Sequence, residues 1–466
     1  MGATPAATPI GGARGPGRRQ RRIRAAAPAL ALVAVVALLA PTPVVGGRAP
    51  AAAAAASVER SESRAAVEAR CRRKPSRCLR IGVGEPIVIG TLLDETQPLG
   101  REPLVSVELA IDYLDGTFDG VDGSLLGHPV VLITGNEGCD RNVARLAQSE
   151  LLSEDALVAV IGTTCSSAAL GQADVAFSQA RIPIVSPSNT APALTDPETH
   201  ERYYFRVSWN DKIQGAVMAN FAAFRGWRGV TVIADPGDPY SDQLAGAVAG
   251  QARRRQIATR TVPWTAGGTA AAVAAAAADP RPVVLTLLPP QCRDVALAIR
   301  AEPALVGVPI LVSEACGDRD FLRALGPDVG EAYAAVPDTR GADETVAFYR
   351  EAFIPAFTSR VGTGPTVAFH AQAFDAAQLI FSAIRRSAVG QPGGELLIER
   401  KRLRDALLRT SGYPGISGTV SCSPSGDCAD QVAIGVYRAP DWPAVVGSGA
   451  VPVFSQSLTL GELEAS

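Results

Sequence analysis

From residue 86 onward the chain alternates between two hydrophobic patterns. Short runs with apolar residues at successive positions recur: "PIVIGTLL" (86–93), "PVVLITG" (129–135), "ALVAVIG" (156–162), "IPIVS" (182–186), "GVTVIAD" (229–235), "PVVLTLL" (282–288) and "VPILVS" (308–313). Rich in Val and Ile and lacking polar alternation, they predict strands covered on both faces. Between them lie amphipathic or small-residue segments such as "EPLVSVELAIDYLDG", "RNVARLAQSELLSE", "DKIQGAVMANFAAFRG", "YSDQLAGAVAGQARRR" and "CRDVALAIRAEP", which predict helices. Strand and helix alternating in this way imply right-handed crossovers and parallel sheets.

Two such series are present, one ending near Val207 and one near Val336. Helical segments follow, "ADETVAFYREAFIPAFTSR", "TVAFHAQAFDAAQLIFSAIRRSA" and "RKRLRDALLRT", and then two late strand candidates, "GISGTVSC" and "QVAIGVYR". The expected fold is α/β, with two doubly wound, Rossmann-like lobes joined by a hinge and separated by a cleft. The first lobe takes residues 81–207 and 337–420, the second 208–336 and a return at 421–440, with a tail at 441–466. In such sheets ligands gather beyond the carboxyl ends of the strands.

The N-terminal region follows a different rule. Six arginines and no acid among the first 24 residues precede an apolar run, "AAAPALALVAVVALLA", that ends before Pro41 and Pro43. This layout predicts a signal peptide region over 1–56, with cleavage near Ala49 or Ala56. The run is short for a spanning helix, so a membrane anchor through residues 25–40 is the weaker alternative. The first cysteine is Cys71, too far on for lipid attachment after the run. Residues 57–80, with "RCRRKPSRCLR", are expected to form a low-complexity basic linker.

Export changes the reading of charge and cysteines. Removing residues 1–56 leaves 37 basic against 46 acidic residues, a balance that argues against nucleic acid as a partner. Eight cysteines in an exported chain favour disulfides over thiols. Their order suggests Cys71 with Cys78, Cys139 with Cys165, Cys292 with Cys316 and Cys422 with Cys428, although spacing alone leaves other connectivities open. Cys139 and Cys165 both fall just past the ends of strands expected to be neighbours. No CxxC pair or nearby histidine supports a metal site.

Signals for catalysis are missing. The three histidines, His128, His200 and His370, lie outside any metal-ligand or HExxH spacing. The sequence contains no GxSxG elbow in a strand-to-helix context, no GxxxxGK[ST] loop and no strand-following GxGxxG. A hydrolase using Ser166 or Cys165 would need a base that the sequence does not place beside them. No enzyme activity, cofactor or metal is therefore expected.

The cleft-facing loops carry the candidate chemistry. "GTTCSS" joins the strand at 156–162 to a helix, where unpaired N–H groups and the helix dipole attract an anion, and Ser166 and Ser167 add hydroxyls. Serine at a helix start is by itself an ordinary cap. One strand further on, "SPSNT" repeats the arrangement with Ser188, Asn189 and Thr190. Two adjacent polar loops can hold both the carboxylate and the ammonium of a small zwitterion.

The stretch "VIGTTCSSAALGQADVAFSQARIPIVSPSNTAPALT" resembles the branched-chain amino-acid-binding proteins of ABC importers, which have the type I periplasmic-binding fold. The likeness continues in "IVIGTLLDETQPLG", "NEGCD", "YYFRVSWNDKIQGAVMANF" and "GWRGVTVIADPGDPYSDQL", spans roughly residues 85–440, and is one of layout beyond about Thr265. The resemblance implies that Ser166, Thr190 and the backbone near Asn189 grip the ligand's amino-acid moiety. It further implies that Tyr240 of "DPYSD" closes over the ligand and that Glu314 of "LVSEACGD" pairs with its ammonium. Without it, Tyr240 would read as packing at a helix start and Glu314 as a loop carboxylate. In "LLPPQC", Leu288 and Gln291 stand where relatives have an aromatic residue, and Asn189 where a small residue is usual, so polar amino acids, amides and short peptides all remain open as ligands. The implied partners are a small amino-acid-like solute and an ABC permease, with the protein a monomer outside the cytoplasm. The alternative is a ligand-binding sensor of the same fold.

Overall fold

The computed structural model describes residues 63–317, 321, 325, 331–338, 347–429, 431–439 and 451–465. The expected signal region, the first residues of the 57–80 segment and the start of the helical segment at 342–360 lie outside these residues. Strands β1 (Cys78–Ile81), β2 (Ile87–Leu93), β3 (Ser124–Leu125), β4 (His128–Asn136), β5 (Leu157–Gly162), β6 (Ile184–Ser186) and β7 (Tyr204–Arg206) fall in the first half. Six of them form a sheet in the order β3-β4-β2-β5-β6-β7, parallel except for β3. Every side chain of β2 and β5 is buried, as their unbroken apolar runs require.

The second lobe holds β8 (Gly229–Ala234), β9 (Ala258–Pro263), β10 (Val283–Leu285), β11 (Ile310–Val312) and β12 (Ala332–Pro337). The chain then returns to the first lobe for β13 (Val389–Gly390), β14 (Leu396–Glu399), β15 (Tyr413–Gly415) and β16 (Gly418–Val420). It closes with β17 (Gln431–Arg438) and β18 (Phe454–Thr459). The second sheet has the order β18-β17-β12-β11-β10-β8-β9, with β17 antiparallel to both of its neighbours, β12 and β18. Strand order reverses at β2/β5 in one sheet and at β8/β10 in the other, and the loops that leave these carboxyl ends face a common cleft. Among the described residues, no helix is long and apolar enough to cross a membrane.

Three segments differ from the sequence reading. The expected basic linker is ordered from Ser63 onward, with a helix, Arg64–Arg73, capped by the Ser63 hydroxyl, and β1 paired antiparallel with β14. Part of the expected tail is β18, which covers the outer edge of β17. Residues 421–429 stay with the first lobe, where Cys428 N–H donates to Arg206 O at 2.9 Å and Arg206 N–H to Gly426 O at 3.0 Å. This loop, closed by the Cys422–Cys428 disulfide, shields the edge that β7 would otherwise expose. Gly426 suits the approach: its φ is +82°, and a Cβ there would lie 2.3 Å from Tyr204 O.

The same loop delivers a buried ion pair. Arg206 Nη2 and Nε donate to Asp427 Oδ2 at 2.6 and 3.1 Å, with both side chains essentially inaccessible. The guanidinium also donates to Ala191 O at 2.8 Å and to Thr195 Oγ1 at 2.6 Å, so one cation ties β7, the 189–195 loop and the 422–428 loop together. Removing one partner strands the other charge in a dry interior. Asp427→Ala is expected to cost about 3–5 kcal/mol of stability, as read by urea unfolding, and Asp427→Asn less. A loss below about 1 kcal/mol, the range of exposed pairs, would show that the pair anchors nothing.

Candidate functional site

The floor of the cleft is built from backbone held in place by buried polar side chains. Gly162 ends β5 with φ +148°, and a Cβ there would lie 2.2 Å from Leu92 O, so only glycine lets the chain turn so close to β2. In the next residues, Thr163 Oγ1 lies 2.8 Å from Cys165 O and 3.0 Å from Asn189 Oδ1. Asn189 Nδ2 donates to Thr163 O and Thr164 O, both at 3.0 Å, and its Oδ1 accepts from Tyr204 OH at 3.0 Å. Ser188 Oγ donates to Thr164 O at 3.0 Å. The two loops are therefore locked to each other.

Below them, Cys165 N–H donates to Glu137 Oε1 at 3.1 Å, and Cys165 is joined to Cys139. Burial pushes the Glu137 carboxyl up to about 8, opposed by backbone N–H donors and reinforced by the charge of Asp94. Among the described residues, Glu137, Cys139 and Cys165 form the one group of three donors near enough to share a cation. The disulfide removes the thiolates a metal would need.

The second lobe contributes acids. Glu314 is buried beyond the end of β11, where Gln214 Nε2 donates to its Oε2 and Tyr240 OH lies 3.0 Å from Oε1 and 2.8 Å from Ser313 Oγ. Gln214 also accepts from Trp209 Nε1 at 3.0 Å, and the Trp209 ring stacks on Phe369 with centroids 5.0 Å apart. A polar chain thus runs from the hinge to the acid. Burial raises Glu314 to about 7, partly offset by its bonds to Gln214, its own backbone, Tyr240 and Ala315. Asp211, fully buried one residue past its Asn210 cap, is raised well above the carboxylate range by burial and by the charge of Glu314. The Thr190 hydroxyl faces Asp211 closely enough to lower it slightly, yet neither side chain completes a hydrogen bond. Asp238, the cap of the Pro239–Arg254 helix, is raised by burial, a shift opposed by the Ser241 N–H that donates to its Oδ1 at 2.9 Å.

Glu314, Tyr240 and Asp238 meet the first-lobe loops at a small cavity of about 20 Å³, which Asp211, Gln214 and Thr190 do not line. Its walls include Ser166, Ser188 and Leu99 from the first lobe, and Asp238, Tyr240, Leu288 and Glu314 from the second. Phe369 also lines it, and none of the lining residues is basic. The arrangement offers carboxylates and hydroxyls to a cation, and apolar carbon to a short side chain.

The structure thus brings Ser166, Tyr240 and Glu314 to one cavity, whereas Thr190 and Ser167 are buried and do not line it. Asn189 does not face the cleft: both ends of its amide are used in holding the loops, so it supplies no further donor or acceptor to a ligand. Gln291 is likewise absent from the lining, whereas Leu288 is part of it. The helix expected after "GTTCSS" is only Ser166–Ala168, broken at Leu170 and Gly171, which removes most of the dipole expected to attract an anion. Asp211, Gln214, Asp238 and Phe369 were not singled out from the sequence. Asp211 and Gln214 stand in "NDKIQG", where a cap followed by an acid and a glutamine reads as an ordinary helix start.

A family model described as "Periplasmic binding protein" matches residues 86–434. Among curated proteins, the chemotactic signal transduction system substrate-binding protein BasB of Halobacterium salinarum is 26% identical over 143 residues, 29% of this chain and 33% of BasB. That match spans about a third of the relative's length. Among solved structures, the leucine binding protein LivK of Thermotoga maritima superposes with a TM-score of 0.65 at 19% identity, covering 81% of this chain and 99% of LivK. A solute binding protein of an ABC transporter from R. palustris, in complex with benzoate, gives 0.63 at 17% identity, covering 80% and 95%. At these identities the superpositions establish the fold alone.

The raised acids fix a pH dependence. An acid whose pKa rises on folding holds more protons in the folded than in the unfolded chain between the two values, so its contribution to stability is lost as pH climbs through that interval. For Glu314 the interval runs from 4.5 to about 7, and for Glu137 from 4.5 to about 8. The melting temperature of the solute-free protein is expected to fall between about pH 5 and about pH 8, and Glu137→Gln to flatten the upper part of that slope. An unchanged slope in Glu137→Gln would place the titration elsewhere.

Proposed function

Because this chain belongs to the periplasmic binding protein family, we propose that it works outside the cytoplasm as a monomeric solute-binding protein. It closes its lobes on an amino acid or a related small amine and delivers it to an ABC permease. The observation that carries this reading is the buried carboxylate of Glu314 at a cavity whose lining holds no basic residue, with Asp211 buried behind it and close enough to feel its charge. An ammonium placed between them would restore the ionised form of both acids and supply donors to the two unpaired oxygens of Asp211. The ligand's carboxylate would then face the hydroxyl and the N–H of Ser166, since Cys165 N–H is already given to Glu137. Leu99, Leu288 and Phe369 favour an aliphatic or otherwise apolar side chain.

The acids also argue against a ligand such as benzoate, which carries a carboxylate and no amine to satisfy them. Room for little more than one water means that the lobes part before a solute enters and close upon it. Four disulfides join Cys71–Cys78, Cys139–Cys165, Cys292–Cys316 and Cys422–Cys428, which suits an oxidising compartment. No reaction is assigned to the site: the buried acids face hydroxyls and an amide, with no nucleophile and base paired for chemistry. The partial likeness to BasB, named as part of a chemotactic system, favours a second reading in which the closed protein signals to a receptor. Uptake of the solute by cells lacking the protein separates the two, since delivery requires that uptake fall.

A thermal-shift screen of amino acids, amides and benzoate tests the reading. A true ligand at about 100 times its dissociation constant adds about 2.7 kcal/mol of stability. Glu314→Ala and Thr190→Ala are each expected to weaken it. With Glu314 near 7, the affinity for an amine is expected to drop up to about tenfold per pH unit below that value, and Glu314→Gln to weaken the trend, leaving the part that Asp211 contributes. Binding that survives both alanine variants unchanged would move the site elsewhere.

A further inference from the structure

The basic stretch at Arg70–Arg80 has a geometry that the solute site does not use. The helix Arg64–Arg73 ends in a short turn, Pro75–Arg77, and the Cys71–Cys78 disulfide closes the intervening loop. Val67 and Cys71 are buried against Leu397 of β14, so the loop is seated on the first lobe as a fixed element. Arg70 donates to both carboxylate oxygens of Glu399, Nε at 3.1 Å and Nη2 at 2.6 Å. Arg64 and Arg72 share Glu68. The acids in reach are thereby engaged, while the exposed side chains of Arg73, Lys74 and Arg77 have no acidic partner among the described residues. Together with Arg70, Cys78 and Glu399 these three cations line a cavity of about 310 Å³.

Three uncompensated cations fixed around one concavity repel one another unless a multivalent anion answers them. Apart from residues 1–56 the chain carries an excess of acid, so this basic pocket runs against its net charge. It also lies away from the cleft. Arg400, which follows β14 directly, donates to Leu157 O at the amino end of β5, whereas the solute loops leave the carboxyl end of that strand. Both sites can therefore be filled at once.

We propose that the Cys71–Cys78 loop is a binding site for a phosphate-bearing polyanion, held by Arg73, Lys74 and Arg77 with the Arg70–Glu399 pair as its wall. Guanidinium groups suit phosphate oxygens because their donors form a planar fork, and the lysine adds a point charge. The same phosphate chemistry is offered by the headgroups of an anionic bilayer and by a soluble polyphosphate.

The test uses the purified exported protein and a variant carrying Arg73→Gln, Lys74→Gln and Arg77→Gln, with two probes. One is tripolyphosphate, followed by calorimetry; the other is vesicles of equal parts phosphatidylglycerol and phosphatidylcholine, set against pure phosphatidylcholine in co-sedimentation. Binding that weakens with added salt and at least about tenfold in the triple variant is expected. Loss in the vesicle arm alone assigns a bilayer headgroup, and loss with tripolyphosphate alone assigns a soluble polyphosphate. An unchanged amino-acid thermal shift in the triple variant shows that the fold is intact. Should that variant unfold, Lys74→Gln and Arg77→Gln singly are expected to weaken binding about threefold to fivefold each. No binding of either probe, or equal binding by wild type and variants, overturns the proposal.

Discussion

The salt bridge between Arg206 and Asp427 is the constraint on which the cleft depends. Burying a guanidinium and a carboxylate is tolerable only if their remaining hydrogen-bonding capacity is met nearby. For the guanidinium it is met by the carbonyl of Ala191 and the hydroxyl of Thr195, both in the loop that carries Thr190, while Asp427 Oδ1 completes no hydrogen bond. The pair therefore does more than close a sheet edge. It fixes the height of the solute loop relative to β7, and β7 leads directly into the hinge and the helix that presents Asp211 and Gln214.

From that fixed edge the two halves of the site acquire different characters. In the first lobe Asn189, Ser186 and Ser188 consume their own polarity in stitching loop to loop, leaving Ser166 to line the cavity and the buried Thr190 hydroxyl without a completed bond. In the second lobe the acids are incompletely satisfied. Asp211 lacks a completed hydrogen bond on either oxygen, and both it and Glu314 are held toward the protonated form by burial. One side of the cleft is rigid and the other electrostatically unfinished, a division that suits capture of a compact cation-bearing solute.

Much of this was legible in the chain. Parallel strands buried on both faces announce themselves as unbroken Val and Ile runs, and β2, β5, β8, β10 and β11 fall within the stretches so identified. Sheet pieces built from few residues did not: β13 and β14 surround a glycine turn, and β18 follows a Pro-rich stretch, so neither has a pattern long enough to read. The site was half visible. Ser166 follows a strand end, where position suggests a role, whereas Tyr240 and Glu314 were singled out only by the family resemblance. Asn189 was misread because a loop asparagine looks available, whereas its partners lie 25 and 26 residues back along the chain. Arg206 and Asp427, 221 residues apart, leave no local trace of their pairing.

The chain of contacts from Trp209 through Gln214 to Glu314 has a consequence for how the molecule can be observed. An indole stacked on Phe369 and hydrogen-bonded toward a titrating carboxyl sits in an electric field that changes with the charge of that carboxyl and with the angle of the hinge. The emission colour of Trp209 is then an intrinsic optical gauge, built into the joint itself and readable without any attached dye.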